Sequence, residues 1–410
     1  MHAPQGAGFI GPARKKSGLL VAIPCFSEAE LLQKHLQLLE GQKGANFDVL
    51  VVLGNGFDGE AAKALLKPAR PFSLILLKRE EDTGSAGGFF TAQKFALDEG
   101  YEHIVMADVD CLPMDAGLLA ALHAKREAGL VSPTEVFEKE DGGVFAPAAG
   151  ERARFTPIYH YTLLSARLMR KYGLVFAPAF HGAEDAEYAE RLRGETRVFV
   201  DERVSHPFII GDRTYRKPDR FWAYTLNTIL LVRGPRWALN LLRLLLSALV
   251  MFFFFPPFGR TMAVRMMGLL FGYAYGKRAM DSLKADLGPY LVQEAGLPQK
   301  AVRVSYPQYL ALGALAGELF RAKLSNFRKE IVIEGSSNDL LVTMQAAWAR
   351  RAYYKTGGQY LLIADNCPLL CHLIRMVLFV LALMPFMALS LLIFLPIKLL
   401  RQPDTNWYGL

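Results

Sequence analysis

The first half of the chain alternates short, wholly apolar runs with amphipathic stretches, and that alternation limits the folds open to it. "LLVAIP" reads as a strand buried on both faces, and "SEAELLQKHLQLLEG" directly after it reads as a helix. Ser27 and Glu30 have the spacing of a capping box, and Gly41 is a natural C-terminal stop. "FDVLVVL" and "FSLILL" follow as strands, "GGFFTAQKFALDEG" as a helix, "HIVMAD" as a fourth strand and "DAGLLAALHAKREAG" as a further helix. Apolar strands separated by helices predict an α/β domain over 18–232 with a mostly parallel, Rossmann-like sheet and helices on both faces. Ligands bind such sheets at the C-terminal strand ends. Four segments fall there: Pro24–Glu28, Gly54–Asp58, Glu80–Gly88 and Asp108–Asp110.

Charge and hydropathy narrow the partners. The net charge of +8 over 410 residues fits an anionic partner. No RNP-like aromatic strand and no Cys/His finger is found, so nucleic acid is excluded in favour of nucleotide phosphates or an acidic membrane. Four scattered cysteines (Cys25, Cys111, Cys367, Cys371) read as reduced thiols in a cytosolic setting. Arg14, Lys15 and Lys16 make 1–17 a basic lead-in. Beyond residue 232 the character changes, with amphipathic, interfacial helices expected over 233–280 and a helical, membrane-associated region over 281–373. The uncharged run of 15 at 244–258 is short for a span and reads as interfacial or re-entrant. The uncharged run of 22 at 376–397 is long enough to cross a bilayer, with a kink at Pro385, inside a segment 374–400 followed by the tail 401–410.

Asp108 and Asp110 close the fourth strand as D-V-D. Alternate residues of an extended segment point the same way, so the two carboxylates can grip one divalent cation, Mn2+ or Mg2+, together with a substrate's phosphates. "TGSAGG" lacks the Lys-Ser/Thr ending of a P-loop and reads as a turn in which backbone closes on an anionic ligand at a helix N-terminus. In "HGAEDAEYAERLR", Glu184 and Asp185 stand at a helix start, where one carboxylate can serve as a general base. His206, after the strand "RVFVD", is placed to return as a third metal ligand.

This order of motifs resembles the family 2 glycosyltransferases of the GT-A fold. "DTGSAGG" resembles the N-x-G-x-A-G-G loop of their galactofuranosyl- and rhamnosyltransferase branch, and "FWAYTLNTILLVRG" its Y-x-x-R-N helix. The resemblance covers roughly 18–280. It implies that Pro24, Phe26 and Glu28 line the nucleotide pocket, with Asn55 and Asp58 near the base. Asp82, Thr83, Gly84, Gly87 and Gly88 would meet the diphosphate and donor sugar. Asp108, Asp110 and His206 would hold the metal, and Asp185, beside Glu184, would be the base. The chain departs from the branch at Gly54, Asp82, Ser205 and Leu226, where an acid, Asn, Trp and Arg are usual.

The activity so implied is inverting transfer of a galactofuranose- or rhamnose-like sugar from a UDP- or dTDP-sugar donor to a lipid-linked glycan. It would take place among membrane lipids at the cytoplasmic face. Alternatives are a polyprenyl-phosphate sugar synthase, a processive polysaccharide synthase, for which "RGPRW" lacks the Gln of Q-x-x-R-W, and a non-catalytic glycan-binding scaffold.

Overall fold

A computed structural model describes residues 17–138, 144–146, 158–207, 218–232, 258–293 and 296–298, with short pieces at 7–9, 241–253, 302–305, 330–334, 351–356, 359–365 and 377–392. The chain divides into two compact units, Met1–Phe208 and Ile209–Pro403.

In the first unit, strands β1 (Ala7–Phe9), β2 (Leu19–Cys25), β3 (Asp48–Leu53), β4 (Ser73–Arg79), β5 (His103–Ala107), β6 (Leu112–Pro113), β7 (Leu130–Glu138), β8 (Val144–Phe145), β9 (His160–Ser165) and β10 (Val198–Pro207) form one sheet. Its order is β1-β4-β3-β2-β5-β9-β7-β10-β6, with β8 on β7. The four strands β4, β3, β2 and β5 are parallel, as the apolar runs predict. β9 then runs antiparallel to both β5 and β7, and β10 is parallel to β7. The C-terminal ends of β2, β3, β4, β5, β7 and β10 and the start of β9 therefore share one edge.

Both faces of the sheet are covered. Leu19, Val21, Ile23, Val49, Val51 and Val105 pack with Leu32, Leu36 and Leu39 of α1 (Ala29–Glu40), Ala62 and Leu65 of α2 (Gly59–Leu65) and Leu119 and Leu122 of α4 (Leu118–Ala124). The alternate residues Leu20, Ala22, Leu50 and Met106 are equally buried, on the face where Gln93 of α3 (Gly84–Asp98) meets Met106. Among the described residues the unit also holds helices α5 (Ala166–Tyr172) and α6 (Glu184–Arg191). The capping box expected at Ser27 and Glu30 does not form. Helix α1 starts later, at Ala29, with Glu28 at the N-cap and no side-chain cap, and the Glu28 carboxylate instead accepts from the Ser27 N–H at 2.9 Å.

The second unit holds α7 (Pro218–Leu231), α8 (Phe258–Phe271) and α9 (Gly276–Leu287) and a sheet of order β11-β15-β14-β13-β12 among its described residues. The buried Asn227 of the "FWAYTLNTILLVRG" stretch accepts from the Gly276 N–H at 2.9 Å, which joins α7 to the start of α9. The wholly helical region expected over 281–373 is corrected here. β11 (Leu291–Val292), β12 (Val302–Ser305), β13 (Glu330–Glu334), β14 (Arg351–Thr356) and β15 (Gln359–Asp365) are strands. β-branched and aromatic residues in "VRVS", "EIVIE" and "RAYYKT" favour a pleated surface over a helix. No helix among the described residues is long and apolar enough to cross a membrane. Much of 244–258 and of 376–397 lies outside those residues, as do 1–6, Cys367 and Cys371. Cys25 and Cys111 are buried, free thiols.

Packing decides the glycines of "TGSAGG". Gly84 has φ of +63°, and a Cβ there would lie 1.9 Å from the carbonyl oxygen of Phe180. At Gly88 it would lie 2.7 Å from the Pro24 ring. Gly84→Ala is expected to cost about 2–4 kcal/mol, while Gly59→Ala, which meets nothing within 4 Å, stays near neutral. Equilibrium denaturation of the two variants checks this, and equal stabilities would refute the packing account.

Candidate active site at the sheet edge

Asp108 follows the last residue of β5, and its N–H donates to the Tyr159 carbonyl at 2.8 Å. The turn that carries Asp108, Val109 and Asp110 is held from below by His35 of α1. The His35 Nδ1–H donates to the Val109 carbonyl at 3.0 Å, and Nε2 accepts from the Tyr161 hydroxyl. Burial pushes His35 down to about 4, so this ring is a neutral spacer. Tyr161 has φ of +58° and stands where the β5–β9 register slips by one residue. The slip sets His160 opposite Ala107, at the mouth of the edge.

Glu135 and His206 join His160, Asp108 and Asp110 there. His160 Nδ1 lies 2.6 Å from Glu135 Oε1 of β7, and its Nε2 lies 3.6 Å from Asp108 Oδ2. His206, near the end of β10, places Nε2 at 3.5 Å from Asp110 Oδ1, and its ring stacks on His160 at 4.3 Å between centroids. Ligand-capable atoms of Glu135, His160 and His206 all fall within 4.8 Å of one another. Burial raises the Asp108 carboxyl above the usual range. Burial also opposes ionisation of Asp110, but His206 and His160 outweigh it and hold that carboxyl low. For His160 burial works against the charge, yet Glu135 and Asp108 prevail and lift it to about 10. Among these groups Glu135 Oε2 is buried with no hydrogen-bond partner. This set of carboxylate oxygens and imidazole nitrogens suits a divalent cation.

The acid pair stands on a strained approach. Phe180, Gly182 and Ala183 all have positive φ, at 63°, 85° and 66°, and deliver the chain to the first turn of α6. Ser85, in the first turn of α3, donates to Glu184 Oε1 and lies 3.1 Å from His181 Nδ1. Glu184 Oε2 is buried without a partner. Burial first, and then the charge of Asp185, raise Glu184 to about 8. Asp185 Oδ1 accepts from the Ala186 N–H at 2.7 Å. Burial raises Asp185 as well, and the charge of Asp108 adds to the rise, so the pair and the D-V-D turn share one electrostatic field.

The remaining sequence candidates line the same edge. Phe26 is 46% exposed, and a Cβ at Gly54 would come within 2.7 Å of its ring, so a side chain there requires the ring to shift. Glu28 and Asn55 are exposed, and Asp58 caps α2 through the Ala61 N–H at 2.7 Å. Pro24 underlies Gly88, and Asp82 accepts from the Gly84 N–H at 3.1 Å. Gly87 is buried against Thr83, 2.2 Å from its hydroxyl oxygen to a notional Cβ, and the Gly87 carbonyl accepts from Arg79 at 2.8 Å. Sequence reasoning missed Glu135, His160, Ser85 and His181, and also Tyr159, whose hydroxyl is buried without a partner and whose ring stacks on Phe89 at 3.8 Å. Glu135 and His160 stand in strands with other polar residues and meet only through the pairing of β5, β9 and β7, so no local pattern marks them.

No protein-family model matches the sequence, and no curated protein is similar to it. Among solved structures, the chain is similar to the mannosyltransferase PcManGT from Pyrobaculum calidifontis in complex with GDP-Man and Mn2+. The identity is 18% over 82% of this chain and 85% of that one, with a TM-score of 0.42. It is similar to S. aureus TarS 1-349 at 14% identity, covering 65% of this chain and 89% of that one, with a TM-score of 0.40. GalNAc-T7 with UDP, GalNAc and Mn2+ gives 13%, 52%, 48% and 0.37 in the same order. Likeness at these TM-scores assigns neither fold nor activity, so the reading below rests on the site itself.

The raised Glu184 carboxyl makes stability depend on pH. The folded chain keeps a proton up to about 8 that the unfolded chain releases near 4.5, so stability falls as pH rises through that window. Glu184→Gln keeps an acceptor for Ser85 and cannot ionise. Its melting temperature relative to wild type should climb between pH 5 and 8 and level off above. Parallel melting curves across that range would show that Glu184 ionises normally.

Proposed function

We propose that this chain is an inverting, cation-dependent glycosyltransferase of the GT-A type, acting on a nucleoside-diphosphate sugar. The observation that carries the reading is the convergence of Asp108, Asp110 and His206 with the Glu184–Asp185 pair on one edge of a largely parallel sheet.

Asp108, Asp110 and His206 would hold a divalent cation, Mn2+ or Mg2+, whose positive charge would offset the negative charge of a departing diphosphate. Phe26, exposed above Gly54 and Gly56, offers an apolar face to the nucleobase, with Pro24, Glu28, Asn55 and Asp58 around it. Asp82, Thr83, Gly84, Gly87 and Gly88 carry the start of α3 toward the diphosphate and the sugar. Asp185 takes the proton of the acceptor hydroxyl as that oxygen attacks the anomeric carbon from the face opposite the leaving group. Its Oδ1 is engaged with the Ala186 N–H, which points to Oδ2 as the proton acceptor. Glu184, neutral below about 8, spares Asp185 a second negative charge at its side and anchors it to α3 through Ser85.

The finer assignment follows the motif resemblance: a UDP- or dTDP-sugar of galactofuranose or rhamnose type, passed to a lipid-linked glycan by a family 2 enzyme at the cytoplasmic face of a membrane. The net charge of +8 and the uncharged runs at 244–258 and 376–397 support the lipid side of this proposal. So does the exposure of Leu378, Leu381, Leu389 and Leu392.

A panel of nucleotide sugars assayed for nucleoside diphosphate release with a membrane lipid extract tests the reaction. Turnover is expected with one donor class, to vanish with chelator, and to fall about 10²–10⁴-fold in Asp185→Asn. Turnover indifferent to both chelation and that substitution would sink the mechanism. For the membrane assignment, the intact chain should sediment with membranes and need detergent for release; recovery in the soluble fraction without detergent would refute it.

A further inference from the structure

We propose that His160 is a second imidazole ligand of the cation at this edge, set in place by Glu135, and that the pair His160/His206 makes the site prefer Mn2+ to Mg2+. The inference rests on the reading that Asp108, Asp110 and His206 hold a cation, and it extends that set by a residue from a strand the motif did not include.

The two histidines form matching pairs with the two aspartates. His160 Nε2 is 3.6 Å from Asp108 Oδ2, and His206 Nε2 is 3.5 Å from Asp110 Oδ1. These separations are too long for strong hydrogen bonds. They match two ligand atoms each bonded at about 2.1 Å to one cation, which stand ~3.0–3.6 Å apart. The rings stack at 4.3 Å with 26° between their planes, so both imidazoles face the cluster side by side.

The other ring nitrogen of His160 is already engaged. Nδ1 meets Glu135 Oε1 at 2.6 Å, the arrangement in which a carboxylate behind a metal-bound imidazole fixes its tautomer and raises its basicity. Glu135 is fully buried, and its Oε2 has no hydrogen-bond partner. Buried ion pairs of this kind are often replaced by apolar residues at no loss of stability, so stability alone does not account for one here. Register supplies the placement. Glu135 is opposite Val204, two residues before His206 on β10, and His160 is opposite Ala107, one residue before Asp108. Imidazole nitrogen favours first-row transition metals, whereas Mg2+ favours an all-oxygen shell.

Pulsed EPR of the full-length protein loaded with Mn2+ counts the coordinating nitrogens directly. Two imidazole couplings are expected in wild type, and one in His160→Gln and in His206→Gln. Titration should show His160→Gln binding Mn2+ about 10–100-fold more weakly, with Mg2+ displacing Mn2+ more readily than from wild type. Glu135→Gln should keep both couplings and weaken Mn2+ about 10-fold. A single coupling in wild type that disappears only in His206→Gln overturns the inference while leaving the cation site standing. Absence of Mn2+ binding in wild type overturns the cation reading and this inference with it. Where circular dichroism shows a variant to be unfolded, the coupling count in wild type decides alone.

Discussion

Strand β9 runs against both of its neighbours, and its register determines where nearly every group of the site stands. It joins the parallel strands β4, β3, β2 and β5 to the pair β7 and β10, pairing Leu164 with Ile104 on one side and with Leu130 on the other. Without it, the D-V-D turn at the end of β5 and the histidine near the end of β10 would belong to separate sheets. The one-residue slip at Tyr161 has two consequences at once. It brings His160 to the edge, and it turns the Tyr161 hydroxyl to His35, whose other nitrogen holds the carbonyl between the two aspartates. A strand that merely continued the ladder would supply neither.

Charge sets the second constraint. Asp108, Asp110 and Glu135 gather around two imidazoles, and the Glu184–Asp185 pair feels the charge of Asp108. Burial and mutual repulsion push Glu184 to about 8, whereas Asp110, beside His206, is held low. Groups of one chemical type are thereby separated into a carboxyl that holds its proton and one that gives it up readily. Burial and the charge of Asp108 also raise Asp185, and a carboxylate so raised takes up a proton more readily.

The parallel core was legible because fully apolar runs such as "LLVAIP" and "VLVVL" cannot be satisfied by a sheet with one wet face. Asp108, Asp110, Glu184, Asp185 and His206 were legible because their residue types stand at ends of periodic segments. Glu135 and His160 were not, since they lie inside strands and become partners only through the β5–β9–β7 pairing, which no local pattern encodes. Asp58, which the resemblance sets near the nucleobase, also caps α2. The strands of 291–365 escaped notice because short, mixed polar and apolar runs with arginine and tyrosine fit an amphipathic helix as readily as a ladder.

"TGSAGG" illustrates how packing and chemistry share residues. Gly84 has no room for a side chain because the Phe180 carbonyl approaches it, and that approach brings the strained turn 180–183 and its acid pair onto the start of α3. Ser85, one residue on, then bonds Glu184. Gly88 allows the helix to settle on Pro24, at the root of the loop that exposes Phe26. The glycine turn and the acid pair are therefore coupled at a single helix N-terminus, through the Phe180 carbonyl and the Ser85 hydroxyl. A larger residue at any of these positions shifts the start of α3 and the acid pair together, so the placement of Glu184 and Asp185 depends on the glycines.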